Sequence, residues 1–392
     1  MKKNLLMMSI AAALAPCIAS AQSLEEKVDR LQKEVDTLKS QVEQPRPAAD
    51  STSLFGYGEF NYNRFRDAER TTRADLRRFV LGVGHRFSDA LTFNSEVELE
   101  HAIASSGDRG EIEMEQAYLN YRFNDAFNVK GGLFLIPLGI LNETHEPPTY
   151  YGVERNEVET RIIPTTWREL GLGLHGLAGA GVVYDIGVTT GFNSGKLDDP
   201  STGIRSAHQE GSLADAHDLS VYGALNYKAP GVLIGGGVFT GNTGQNGQAN
   251  PLLKGVAARM TLWDVHAKYV VGRAEFQGLY ASGKLGDADK VTAATGVAAP
   301  KSFKGWYGQA AYHLYRRGDF DIAPFFRIER YEIRQEEDPA NGLLQDPNNF
   351  ERVRTVGFNV KVHPQVVVKA DLQSYNTDKA KSKLNVGLGY MF

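Results

Sequence analysis

The chain of 392 residues carries one cysteine, Cys17. It lies in a leader expected to be removed, so the remaining chain has no thiol from which to build a disulfide framework. Past that leader, no stretch offers the roughly 18 or more consecutive apolar residues that a membrane-spanning helix needs. Neither sign of charge dominates: 43 basic residues stand against 47 acidic ones, for a formal net charge of -4. A mildly acidic chain is a poor partner for nucleic acid. The nine histidines show no metal-ligand spacing, with His145, His175, His208 and His217 scattered. No serine sits in a nucleophile elbow. The glycine-rich stretch 235–244 lacks the Gly-Lys-Ser/Thr ending of a phosphate loop. Gly171, Gly173 and Gly176 match G-x-G-x-x-G without a helix or an α/β unit to follow, which reads as a glycine-rich strand. The sequence therefore points to no cofactor, no metal and no enzyme.

What is present falls into four parts. Residues 1–21 read as a secretory signal, with Lys2 and Lys3 at the start, a short apolar core, and Ala19, Ser20 and Ala21 at the cleavage site. Pro16 directly before Cys17 argues against lipidation. Within residues 22–44, Leu24, Val28, Leu31, Val35, Leu38 and Val42 alternate steps of four and three. That is a heptad seam of about three repeats, the pattern of a short coiled-coil helix. Residues 45–53, with Pro45 and Pro47, form a linker.

From residue 54 to residue 392 the hydrophobic period becomes two, the period of strands. Phe79, Leu81, Val83 and Phe87 alternate with Arg78, Val80, Gly82 and Arg86. Leu119, Tyr121 and Phe123 alternate with Tyr118, Asn120 and Arg122, and the pattern recurs to the end. Tight turns at 88–90, 124–126, 177–180, 229–230, 316–319 and 363–365 alternate with longer polar stretches at 137–166, 194–217, 241–253, 284–301 and 335–349. The region 263–279 has the weakest turn, near Gly272 and Arg273. Aromatic residues flank the short turns. One trimmed rim, one elaborated rim and about 16 strands are the marks of a transmembrane antiparallel β-barrel, and argue against a soluble β-sandwich. The last strand, 383–392, sets Leu384, Val386, Leu388, Tyr390 and Phe392 on one face. A lone edge of that kind invites aggregation, and pairing with the first strand removes it. The aromatic carboxy terminus resembles the signal read by the barrel-assembly machinery of the outer membrane.

Residues 131–168 stand apart. The stretch is long for a loop and carries Ile140, Leu141, Tyr150, Tyr151, Ile162, Ile163 and Trp167 as anchors. Loops of this length in compact proteins are functional or disordered, and the hydrophobes argue for order. It is expected to fold into the lumen and narrow it, bringing Glu143, Glu146, Glu154, Glu157 and Glu159 near Arg155, Arg161 and Arg168. The inward strand positions are mixed in sign: Arg78, Arg86, Arg122, Lys130, Arg327, Lys361 and Lys369 against Glu96, Glu98, Glu100, Glu329 and Asp371. The candidates for constriction and selectivity are Glu143, Glu146, Arg155, Glu157, Arg161, Arg168, Arg78, Arg86, Arg122 and Lys130.

The leader, the short coiled coil, the strand number, the segment EQAYLNYRF (115–123) and the stretch GGLFLIPLGILNETHEPP (131–148) together resemble the phosphate-selective porin O and P family. The resemblance implies a homotrimeric channel in the bacterial outer membrane, in contact with lipid and with small ions and solutes. It also implies a ladder of arginines and a lysine cluster for phosphate, which the mixed-sign lumenal rows do not reproduce. The expected function is passive diffusion of small hydrophilic solutes, with an anion or phosphate preference as its finer form. A barrel hydrolase would need a catalytic constellation. An adhesin or structural barrel would need a lumen plugged by bulky apolar side chains, whereas the inward rows read as polar and small.

Overall fold

The computed structural model describes residues 51–335 and 350–392. The leader, the heptad helix, residues 45–50 of the linker and the loop 336–349 lie outside the described residues.

Seventeen strand segments form one antiparallel sheet: β1 (Thr52–Phe65), β2 (Arg73–Arg86), β3 (Leu91–Glu100), β4 (Ile112–Arg122), β5 (Asn128–Leu135), β6 (Arg168–Leu177), β7 (Val182–Thr189), β8 (Ser220–Ala229), β9 (Val232–Asn242), β10 (Arg259–Val271), β11 (Ala274–Leu285), β12 (Ser302–Tyr312), β13 (Tyr315–Arg317), β14 (Phe320–Gln335), β15 (Phe350–His363), β16 (Val366–Tyr375) and β17 (Lys383–Met391). The short β13 continues β12 along the same partner, β14, so the wall has 16 staves. The sheet closes where β1 meets β17, with Tyr57 opposite Met391 and Phe65 opposite Lys383. Closure leaves no edge, the condition for strands to span a membrane.

The side-chain alternation is clean. In β10, Trp263, Val265, Tyr269 and Val271 are exposed while Leu262, Asp264 and His266 are buried. β17 exposes Leu384, Val386 and Leu388 and buries Asn385. Outward apolar rows of this kind run round the wall, far beyond the few hundred Å² of apolar patch that a soluble monomer shows. Lipid is the solvent that makes such a surface favourable. Among the described residues no helix is long and apolar enough to cross a membrane; the crossing is made by strands.

The rims differ as their sequences indicate. Residues 87–90, 123–127, 178–181, 230–231, 272–273 and 364–365 connect strands tightly at one end, with Gly231 and Gly272 in the left-handed backbone region. Phe87, Phe123, Phe127, Tyr315 and Phe320 are exposed at that end, and Phe123 packs on Phe127 at 5.2 Å. The other end carries the long loops, including an unforeseen helix, Ala288–Thr295.

The expectation of small, polar inward rows holds for only part of the wall. Tyr222, Phe239, Met260, Leu262, Leu279, Phe303 and Tyr307 point inward and are buried in one apolar cluster. That cluster also takes Phe192, Leu197, Ile204, Leu253 and Val291 from the long loops. The barrel is thus packed on one side of its lumen and polar on the side of β1 to β4.

Candidate functional site

The packed side exists to hold residues 136–167. Ile136, Leu138, Val158, Ile162, Ile163 and Trp167 are fully buried in the apolar cluster. Burying an apolar side chain of this size contributes roughly 1.5–3 kcal/mol relative to exposure. Trp167 sits 4.5 Å from Phe239 and 5.2 Å from Phe192. Asn142 joins the two ends of the loop, donating to the Ile136 and Trp167 carbonyls at 2.7 and 2.9 Å and accepting from Trp167 N at 2.8 Å. Glu159 gathers the turn: its carboxylate accepts from Ile140 N at 2.6 Å, Leu141 N at 2.7 Å, Asn156 at 3.0 Å and the Tyr307 hydroxyl at 2.7 Å. Gly139 (φ 77°) permits that approach, since a Cβ there would lie 2.5 Å from Glu159 Oε2.

From this root the chain crosses the lumen. Tyr150 donates to Glu59 of β1 at 3.0 Å and its carbonyl accepts from Asn359 of β15 at 3.1 Å. Arg327 of β14 donates to the Tyr151 carbonyl at 3.0 Å, and Lys369 of β16 to the Gly152 carbonyl at 2.9 Å. Val153 N donates to Asp371 at 2.7 Å, and Glu157 N to Glu329 at 2.6 Å. Gly389 of β17 leaves room for Pro147, whose Cβ would lie 2.3 Å from any side chain added there. Several charges that read from sequence as lumen lining, namely Arg327, Lys369, Glu329 and Asp371, are thus consumed in fastening the loop. Burial would raise the Glu154 carboxyl, but Lys383 and Arg77 beside it, with hydrogen bonds from Lys383 and Asn63, outweigh that and hold it at about 2.

Between the crossing segment and β1 to β4 lies a polar cavity of about 160 Å³. Arg77, Arg78, Arg155, Arg168, Arg205 and Lys383 line it, together with the carboxylates of Glu59, Glu98, Glu100, Glu111, Glu113, Glu154, Glu157 and Glu210. Acids outnumber bases, but most are paired. Arg78 meets Glu59 at 2.8 Å, Glu98 at 3.1 Å and Glu100 at 3.7 Å. Arg168 meets Glu113 at 2.6 Å and Glu210 at 3.5 Å, and Lys383 meets Glu154 at 3.0 Å. Glu157 is held by Arg161 and by the Tyr375 hydroxyl. Arg155 differs. It is 8% exposed, donates to Thr165, Thr166 and the His145 carbonyl, has a bare Nε, and forms no ion pair among the described residues.

Of the ten candidates, Arg78, Arg155, Glu157 and Arg168 line this cavity, and Arg161 backs it through Glu157. Glu143 and Glu146 belong to the same loop but do not line it. Arg86 stands exposed beside the turn 87–90. Arg122 pairs with Asp125 at 2.5 Å at the same rim. Lys130 pairs with Asp185 at 2.5 Å, 4.5 Å from the Phe134 ring centre. Three lining residues escape a period-two reading. Arg77 is the extra residue where the β1–β2 register slips between Glu59 and Phe60. Arg205 and Glu210 come from the loop 190–219. A second slip, between Glu96 and Val97 on β3, leaves Glu115 as the extra residue of β4 and turns it into the wall. Bulges beside functional sites re-aim side chains in this way.

Residues 53–190 match the profile of the phosphate-selective porin O and P family. An uncharacterized protein of Aquifex aeolicus (strain VF5) is 32% identical over 356 residues, covering 87% of this chain and 80% of its own. Among solved structures, Salmonella typhi OmpF in complex with daunomycin aligns at a TM-score of 0.60 with 13% identity, over 87% of this chain and 97% of that one. The outer membrane channel DcaP of Acinetobacter baumannii aligns at 0.54 with 13% identity, over 87% and 97%. The anion-selective porin from Comamonas acidovorans aligns at 0.53 with 12% identity, over 87% and 99%. At these identities the structures establish the shared barrel fold. With the family match, the closed 16-stave wall and the apolar belt together, the chain belongs to the phosphate-selective porin O and P family, as a diffusion channel of the bacterial outer membrane.

Proposed function

We propose that residues 136–167 form the constriction of this porin and that the passage beside them favours small anions weakly. The observation that carries the reading is Arg155, a lumenal arginine with no carboxylate partner among the described residues. Arg77 and Arg205 stand beside the same cavity without an ion pair among the described residues, against the exposed Glu111. Paired carboxylates have their lone pairs engaged, so the donors left for a passing solute are guanidinium N–H groups. Transport is passive, with solutes sorted by aperture and lumenal charge. Such a channel needs no cofactor and carries out no catalysis. The paired acids make the preference modest and leave no arginine ladder for phosphate.

The test is the reversal potential in a planar bilayer under a salt gradient. A unit charge 6–12 Å from the ion path is worth roughly 1–3 kcal/mol at an effective dielectric near 20, before screening. Arg155→Gln should therefore lower the anion-to-cation permeability ratio about threefold or more at low salt, with less effect at 1 M. Wild type that prefers cations, or a variant with an unmoved reversal potential, would refute the reading.

We also propose a homotrimer, assisted by the heptad seam of residues 22–44. One structure of similar fold, at a TM-score of 0.52 and 11% identity, is described as the trimer form of OmpT of Vibrio cholerae. Replacing Leu31 and Leu38 by Asp should lower the temperature at which the oligomer dissociates in detergent while the barrels still conduct. Native mass measurement giving a dimer would overturn the count, and an unaltered dissociation temperature would remove the seam from assembly.

A further inference from the structure

Beside the cavity the loop meets the β3–β4 wall at a cluster that chain spacing does not reveal. Glu96 of β3, Glu115 of β4 and His145 of the loop place a potential ligand atom each within 4.8 Å of one another. His145 is 4% exposed and Glu115 fully buried. His145 Nδ1 donates to the Asn142 carbonyl at 2.8 Å. That bond puts the ring proton on Nδ1 and leaves Nε2 with its lone pair. Nε2 is buried, has no hydrogen-bond partner, and faces Glu115 Oε2 at 3.8 Å. Two lone-pair atoms therefore point at each other out of bulk water, and a positive charge belongs between them.

The surroundings match a cation of more than one charge. Five carboxylates, those of Glu59, Glu96, Glu98, Glu100 and Glu115, share this corner with Arg78 and Arg155. Each candidate ligand is also oriented by a neighbour. Tyr57 donates to Glu115 at 3.0 Å, Gln116 to Glu96 at 3.0 Å, and the Asn142 carbonyl fixes the imidazole. Metal ligands are held by outer hydrogen bonds of this kind. Imidazole with two carboxylates suits zinc and its first-row neighbours better than calcium or magnesium. With bonds of about 2.0–2.2 Å, ligand atoms round a tetrahedral zinc stand about 3.3–3.6 Å apart; the His145–Glu115 pair closes on that by a few tenths of an ångström from 3.8 Å, while Glu96, in a cluster that spans up to 4.8 Å, swings in by about 1 Å or more.

We propose that Glu96, Glu115 and His145 form a divalent transition-metal site of the zinc class, with a fourth position for water. Its effect is mechanical. It ties the crossing loop to the wall at the edge of the passage, joining residues far apart in sequence.

The experiment uses the full chain purified in detergent, stripped with chelator and titrated with zinc chloride by calorimetry, with bound metal counted by mass spectrometry. About one zinc per chain is expected. His145→Gln and Glu96→Gln should each weaken binding at least about tenfold, in line with the loss of a metal ligand or its support. The exposed His217→Gln serves as a control and should bind as wild type. Glu96→Gln keeps the buried imidazole, so it remains informative if His145→Gln folds poorly, and heat-modified gel mobility reports folding of each. Less than about a tenth of a zinc per chain in wild type, or equal binding in wild type and both variants, would overturn the site. The first outcome would leave His145 as a contact of Glu115 that holds no metal, and the second would place the zinc elsewhere.

Discussion

Replacing residues 146–155 by a short Gly-Ser linker is expected to raise single-channel conductance roughly threefold, because a 16-stave barrel without an inward segment is a wide aqueous channel. The wall should survive the change. Its ladders run unbroken from β1 to β17 and do not use the loop. The replacement spares Asn142, Glu159 and the apolar root, so the packed half of the lumen keeps its core. What is lost is the crossing: Tyr150 to Glu59, Gly152 to Lys369, Val153 to Asp371 and Glu154 to Lys383. The far-wall groups then face a water-filled lumen, where their solvation offsets the lost bonds. Ion selectivity should fall with Arg155 gone. Folded oligomer with wild-type conductance would show that the narrowest point lies elsewhere.

Much of this architecture could be read from the chain, for a definable reason. Period-two rows such as Leu384, Val386 and Leu388 report a surface that is apolar because lipid demands it, and the demand acts at every second residue. Rim asymmetry is equally local, since Gly231 with its positive φ marks a tight turn, although the turn at Gly272 is the weakest to read. The inward rows were harder. A lumenal glutamate and one that fastens a loop look alike in sequence, and Glu329 and Asp371 proved to be fasteners. Nor does the sequence say that Phe239, Met260 and Phe303 face inward under a loop, because bulky residues suit either face of a strand. Arg77 and Glu115 were hidden by single-residue slips that reverse the alternation. His145 lies 30 residues beyond Glu115 in the chain, and only the crossing of the lumen makes them neighbours. The loop itself announced its importance through Ile162, Ile163 and Trp167, which a solvated lid has no use for.

The second large effect is expected at Glu159, a residue that does not touch the passage. Glu159 is 3% exposed and is absent from the ion pairs among the described residues. Its two oxygens accept four hydrogen bonds, two of them from the consecutive amides of Ile140 and Leu141. Its own amide donates to Asn156 at 2.7 Å, which closes a tight local network. Glu159→Ala would strand those two amides and the Asn156 side-chain amide in a dry pocket. Each unsatisfied donor costs roughly 1–3 kcal/mol, so the three together cost about 3–9 kcal/mol. The wall's share is confined to the Tyr307 hydroxyl, which loses its acceptor. Tyr307 keeps its bond from Gln277 at 2.6 Å, and β12 keeps both its neighbours. The loop should therefore come loose while the barrel stays folded. Single-channel records should show a noisy conductance approaching that of the linker replacement, and limited proteolysis should cut within residues 136–167 where wild type resists. Glu159→Gln is the graded control. Its carbonyl oxygen can still accept from Ile140 and Leu141, while its NH2 group meets the Asn156 amide as donor against donor. It should lose only part of the anchoring, with conductance between wild type and Glu159→Ala. Quiet, wild-type conductance from Glu159→Ala in a folded oligomer would mean that the apolar root alone holds the loop, and that the carboxylate is not its keystone.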